Sequence, residues 1–76
     1  MKIRYNLKKE RLKKQLTQKE LAKLLNVSTS HYQAIELGRQ KGSIRIWDKL
    51  EDLFGISQRQ LRETNKSEYL SKNKTR

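Results

Sequence analysis

The chain has 76 residues and a formal net charge of +11, which limits it to one small domain and asks for a polyanionic partner, unless the charge is only a solvated surface. It has no Cys and a single His, which excludes disulfides, thiolate metal sites and histidine clusters. No apolar run approaches the roughly 20 residues that cross a bilayer, and the opening "MKIRYNLKK" lacks the apolar core of a signal peptide, so the expectation is a soluble, cytoplasmic protein.

Pro is absent while Leu, Lys, Glu and Gln are abundant, which favours helix along the chain. Residues 1–6 read as a basic N-terminal arm. Asn6 can cap a first helix over about 7–14. Next comes "TQKE", Thr17 to Glu20, a capping box: the Thr hydroxyl serves the Glu20 amide while Glu20 reaches back. Leu16 and Leu21 flank it as a hydrophobic staple, and a second helix follows over about 17–25. Asn26 tolerates the left-handed conformation that a tight turn needs. Ser28 can cap a third helix over about 28–37, with Val27 and Tyr32 as its staple, and Gly38 closes it. A fourth helix covers about 44–54 and stops at Gly55. "SQRQ", Ser57 to Gln60, is a second capping box for a fifth helix over about 57–63, with Ile56 and Leu61 as staple. The tail, 64–76, is polar and basic and is expected to be disordered.

The apolar positions agree with these helices. Leu21, Leu24 and Leu25 share a face of the second, and Tyr32 and Ile35 share one of the third. Ile46, Trp47, Leu50, Leu53 and Phe54 form a stripe on the fourth. The fold class expected is all-α: a compact five-helix bundle over 7–63 around one core, in which Trp47 packs. Asp48, Glu51 and Asp52 are interleaved with Arg45 and Lys49, as on a solvated helical face with side-chain pairs. There is no nucleophile–base arrangement, phosphate loop or metal-ligand spacing. An enzyme, a metal and a cofactor are therefore not expected.

One stretch stands apart. From Asn26 to Glu36, "NVSTSHYQAIE", the chain carries neither Lys nor Arg, though both crowd either side. The run Thr17 to Gly38, "TQKELAKLLNVSTSHYQAIELG", resembles the helix-turn-helix of the phage-repressor family (Cro/CI-like, also called XRE). "TQKELA" opens the first motif helix, Ala22 is the small residue where two helices cross, and Glu36 and Gly38 match an "IExG" ending. The resemblance extends from about Leu7 through Leu61. Departures are Asn26 and Gln15 where the family usually has Gly, Leu37 at an often polar position, and Tyr32 in place of Ile or Val. The Tyr32 hydroxyl must then reach water, a phosphate or an internal partner.

The resemblance implies a lambda-repressor-like fold with the motif at about 17–37 and its second helix in the major groove of double-stranded DNA. There the neutral stretch makes sense, because hydroxyls, amides and methyls read base edges while cations meet phosphates. By family position, Thr29, Ser30, Gln33 and Ala34 read bases, and His31 is more simply solvated. Thr17, Gln18 and the loop Arg39, Gln40, Lys41 and Gly42 hold phosphates. Arg11 and Glu36 form a structural ion pair. Phe54, Ile56 and Leu61 line a dimer surface. The function expected is a transcriptional repressor of a phage or mobile element, binding an inverted-repeat operator as a homodimer, formed either in solution or only on DNA. The alternatives are the antitoxin of a toxin–antitoxin pair and a non-specific basic RNA- or nucleoid-binding protein.

Overall fold

The computed structural model describes residues 2–64, which form five helices and no strand. They are α1 (Tyr5–Lys13), α2 (Gln18–Leu25), α3 (Thr29–Glu36), α4 (Ile44–Phe54) and α5 (Gln58–Leu61). Met1 and residues 65–76, which include all but the first residue of the expected tail, lie outside the described residues.

Four of the five helices begin at a side-chain hydroxyl, because each offers an acceptor to an amide the first turn leaves unpaired. Thr17 Oγ1 accepts from Glu20 N at 3.0 Å, and Glu20 Oε1 accepts from Thr17 N at 2.8 Å, so that box is complete. Ser28 Oγ accepts from His31 N at 3.0 Å, and Ser43 Oγ from Ile46 N at 3.3 Å. Ser57 Oγ accepts from Gln60 N at 3.4 Å. The side chain that works at this end is Gln58, whose amide donates to Glu51 Oε1 at 3.1 Å and to Asp48, tying α5 to α4.

The start of α1 differs from the reading of Asn6 as its cap. Tyr5 is already helical, Arg4 holds the cap position without a side-chain bond, and Asn6 is buried. Asn6 Nδ2 donates instead to Gln60 O at 2.9 Å, a carbonyl that also accepts from Glu63 N at 3.2 Å. The capping contact was outcompeted by a partner 54 residues away. Of the six residues read as an arm, Tyr5 and Asn6 thus belong to α1 and Arg4 is buried.

The joints carry the special backbone. Asn26 closes α2 at φ +61°, with Val27 N donating to Ala22 O at 3.0 Å. Gln15 adopts φ +57° between α1 and α2, at the position where the resembled family places Gly. Gly38, at φ +80°, is required twice over, since a Cβ there would lie 1.7 Å from the Lys2 carbonyl oxygen.

The core takes a stripe from every helix: Leu7, then Leu21, Ala22 and Leu25, then Tyr32 and Ile35, then Ile46, Trp47, Leu50 and Phe54, and finally Leu61. Leu16, Val27, Leu53 and Ile56 pack against it, which places all three staples on one core. Leu24 does not join its expected neighbours and is 52% exposed. Helical positions advance by about 100°, so Ala22 and Leu24 flank the Leu21–Leu25 line at equal angles on opposite sides, and it is the Ala22 side that packs. Ala22 is 1% exposed, and its single methyl lets α3 cross α2 closely.

Candidate nucleic-acid interface

Glu36 is the inner anchor of α3. It is 2% exposed, and an isolated carboxylate at such a depth would be costly. It is not isolated. Oε1 accepts from Arg11 Nε at 2.9 Å and from the Tyr32 hydroxyl at 2.6 Å. Oε2 accepts from Arg11 Nη2 and from Gln18 Nε2, each at 3.2 Å. Arg11 is equally committed, because its Nη1 donates to Leu16 O at 2.8 Å. The structure thus brings Arg11 and Glu36 together, and with them α1, α2 and α3. The internal partner of Tyr32 is Glu36.

The ionisation follows from this geometry. Burial alone would raise the Glu36 carboxyl; hydrogen bonds from Arg11 and Tyr32, attraction to Arg11 and the Gln18 amide outweigh it and hold the group below the ordinary carboxylate range. The bond to Glu36 raises Arg11. Burial first, then donation to Glu36, pushes the Tyr32 hydroxyl up, so it remains a donor.

With Tyr32, Ile35 and Glu36 turned inward, α3 presents Thr29, Ser30 and Gln33 to solvent, with Ala34 and His31 half-buried beside them. This outer face carries no Lys or Arg. Gln18 connects the two sides: its Nε2 bonds Glu36, while its Oε1 accepts from Gln33 Nε2 at 3.4 Å. Thr17 is exposed at the start of α2, and its hydroxyl already serves the capping box. Arg39, Gln40 and Lys41 are exposed beyond the C-terminal end of α3. Gly42 is half-buried, with φ +80°, and a Cβ there would meet Trp47 Nε1 at 2.9 Å. Close packing under the indole therefore accounts for this glycine.

The residues expected at a dimer surface also serve the core of one chain. Leu61 is 0% and Phe54 9% exposed within one chain, because both complete the core between α4 and α5. Only Ile56 keeps partial exposure, and it too packs against the core.

Two contacts were not legible in the sequence, those of Arg4 and the acceptor of the core residue Trp47. Arg4 is 8% exposed; its Nη1 donates to Ile35 O and to Gln40 O, the latter at 2.9 Å, and its guanidinium carbon lies 5.3 Å from the centre of the Trp47 ring. Burial and then the nearby Arg62 lower its pKa from the ordinary arginine value. Its acceptors are 31 and 36 residues away, so no local pattern announces them. Trp47 is 1% exposed, and its Nε1 donates to Lys41 O at 2.7 Å. A buried indole N–H needs an acceptor, which could have been anticipated, though not its identity.

No group of three or more His, Cys, Asp or Glu side chains that could hold a metal occurs among the described residues. Nor is any described helix long and apolar enough to cross a membrane. Compared with known families, residues 7–63 match the model described as helix-turn-helix. No curated protein and no solved structure matches the chain.

Proposed function

The chain belongs to the Cro/CI-like (XRE) helix-turn-helix family of DNA-binding transcription regulators, and from that premise we propose that it is a repressor of a phage or mobile element that occupies an inverted-repeat operator as a homodimer. The outer face of α3 carries the reading. Thr29, Ser30 and Gln33 are exposed and uncharged, and Ala34 offers a methyl beside them. Such groups donate, accept or touch a thymine methyl, which is what the base edges of the major groove can use. Lys19 and Lys23 precede this face, and Arg39 and Lys41 follow it, all exposed. Those cations, with Thr17, Gln18 and the loop 39–42, meet phosphates and grip any duplex, while the neutral face chooses among sequences. On this reading 7–63 is the DNA-binding domain, the basic ends add to the grip, and the place of action is the cytoplasm.

With Phe54 and Leu61 in the core, little apolar surface remains near α5 for pairing in free solution. That supports a dimer assembled by DNA, two copies standing about 34 Å apart on half-sites centred about 10 base pairs from each other. Selection of bound sites from random duplexes tests the reading. An inverted repeat should emerge, and shifting one half-site by about five base pairs should abolish cooperative binding, because the two grooves then face opposite sides. Unchanged affinity and stoichiometry after that shift would sink the dimer. Failure to enrich any sequence would leave a non-specific nucleic-acid binder.

A further inference from the structure

Arg4 is a cation turned away from solvent in a protein whose other described Arg and Lys side chains are exposed, apart from the Glu36-bound Arg11 and the half-buried Lys9. Burying a guanidinium is costly unless its donors are used; here Nη1 makes the side-chain bonds and the buried Nε has no hydrogen-bond partner among the described residues. The bonds of Arg4 converge on one place, the C-terminal end of α3 and the loop beyond it. Its backbone N donates to Glu36 O at 2.9 Å, a carbonyl that α3 cannot satisfy, and Nη1 adds a second donor to Ile35 O, which also accepts from Gly38 N at 3.1 Å. The positive charge at that end also suits the helix dipole. Nη1 further bonds Gln40 O, and Trp47, against which the guanidinium lies, bonds Lys41 O. Two consecutive loop carbonyls are therefore drawn inward by two side chains that touch each other.

That fixes the direction of the neighbouring amides. Peptide groups are planar and trans, so a carbonyl and the N–H bonded to its carbon point in opposite directions. With Gln40 O and Lys41 O drawn inward, the N–H groups of Lys41 and Gly42 turn outward. Neither donates to another group among the described residues. Two adjacent outward amides, with the exposed Lys41 ammonium on the same loop, make a receptor for an anionic oxygen.

We propose that Arg4 and Trp47 are positioning residues for DNA: together they clamp the loop after α3 so that the Lys41 and Gly42 amides and the Lys41 side chain meet one backbone phosphate. This rests on the DNA-binding reading above. Neither residue touches DNA itself; each acts through a carbonyl.

The test uses the full chain with a selected operator and a random duplex. In the wild-type complex the amide resonances of Lys41 and Gly42 should shift on either duplex. Arg4→Ala should weaken both duplexes alike, by about tenfold, the order of one lost hydrogen bond to a charged group. It should also flatten the slope of log affinity against log salt by about 0.9, the value of one phosphate contact. The preference for operator over random duplex should not change. Trp47→Phe keeps an aromatic ring in the core, loses the bond to Lys41 O, and should show the same pattern. Trp47 is the only Trp, so its emission in the free protein should move in Arg4→Ala while the helical circular dichroism persists. Should Arg4→Ala fail to fold, the wild-type amide shifts and Trp47→Phe still decide. A folded Arg4→Ala with wild-type affinity and salt slope would overturn the clamp. So would unmoved Lys41 and Gly42 amides in a complex where the Thr29 and Ser30 amides do shift, and there the DNA reading stands. A wild-type protein that binds neither duplex removes the DNA reading and the clamp with it.

Discussion

Replacing Glu36 with Gln removes one charge and almost no volume from the point where α1, α2 and α3 meet. Both carboxylate oxygens are surrounded by donors: Arg11 Nε and the Tyr32 hydroxyl on one, Arg11 Nη2 and Gln18 Nε2 on the other. A carboxamide has to place its own NH2 against one of these sets. Arg11, with its side chain 8% exposed, is left without a counter-charge. Breaking a buried pair in this way costs about 3–5 kcal/mol. A domain of this size is stable by only roughly 3–9 kcal/mol. Each kcal/mol shifts the melting temperature of such a domain by about 4–8 °C, so thermal denaturation at neutral pH should show a fall of at least about 12 °C. Glu51 is a poor comparison because it accepts from Gln58. Asp52→Asn, on the exposed side of α4, is better and should stay within about 0.5 kcal/mol of wild type. The pH dependence has a definite sign. The folded Glu36 carboxyl is held below its unfolded value, so its contribution is complete above the ordinary carboxylate range and lost as pH falls through the lower folded value. The gap between wild type and Glu36→Gln should therefore be widest near neutrality and narrow in acid. A melting temperature within about 4 °C of wild type, or a gap that widens in acid, would refute the network as the anchor of α3.

Tyr32→Phe keeps the ring in the core and removes the hydroxyl donated to Glu36, so urea denaturation should register a loss of about 1.5–3 kcal/mol; no loss would mean the hydroxyl is redundant. Gln15→Gly relieves a left-handed residue whose strain is about 1–2 kcal/mol, at an entropic cost of about 0.5–1 kcal/mol, so a small net rise in stability should appear by the same method. Thr29→Ala or Ser30→Ala should alter sequence preference in binding titrations by about 1–3 kcal/mol, whereas Lys41→Ala should weaken operator and random duplex alike; the reverse pattern would displace the reading face from α3.

The parts of this fold that local chemistry decides could be read in advance. The Thr17 box, the Ser28 cap and the left-handed Asn26 each depend on residues a few positions apart, and each has a sequence signature. The stripe on α4 was legible because eleven residues give a periodic pattern room to repeat. α2 has only eight, and there a Leu at the edge looks much like a Leu at the centre; Leu24 was placed on the wrong side of that line. Asn6 and Arg4 were unreadable for a different reason. Their side chains answer to backbone carbonyls at Gln60, Ile35 and Gln40, and a backbone carbonyl has no residue type to mark it as an acceptor. Phe54 and Leu61 could be read both as core and as pairing surface because apolar residues near a domain's end suit either; within one chain both are buried.

The Glu36 network bears on how far α3 could be transplanted. Its two sides obey different rules. The outer positions 29, 30, 33 and 34 are held by the helix backbone alone, apart from the single bond between Gln33 and Gln18, and could be rewritten or moved to a related scaffold. The inner positions 32 and 36 presuppose an arginine supplied by α1 and an amide supplied by α2. A graft that carried the whole helix into a host lacking Arg11 would bring a buried carboxylate without its cation. The portable unit is therefore a face, not a helix, and the motif at 17–37 is not a module without α1.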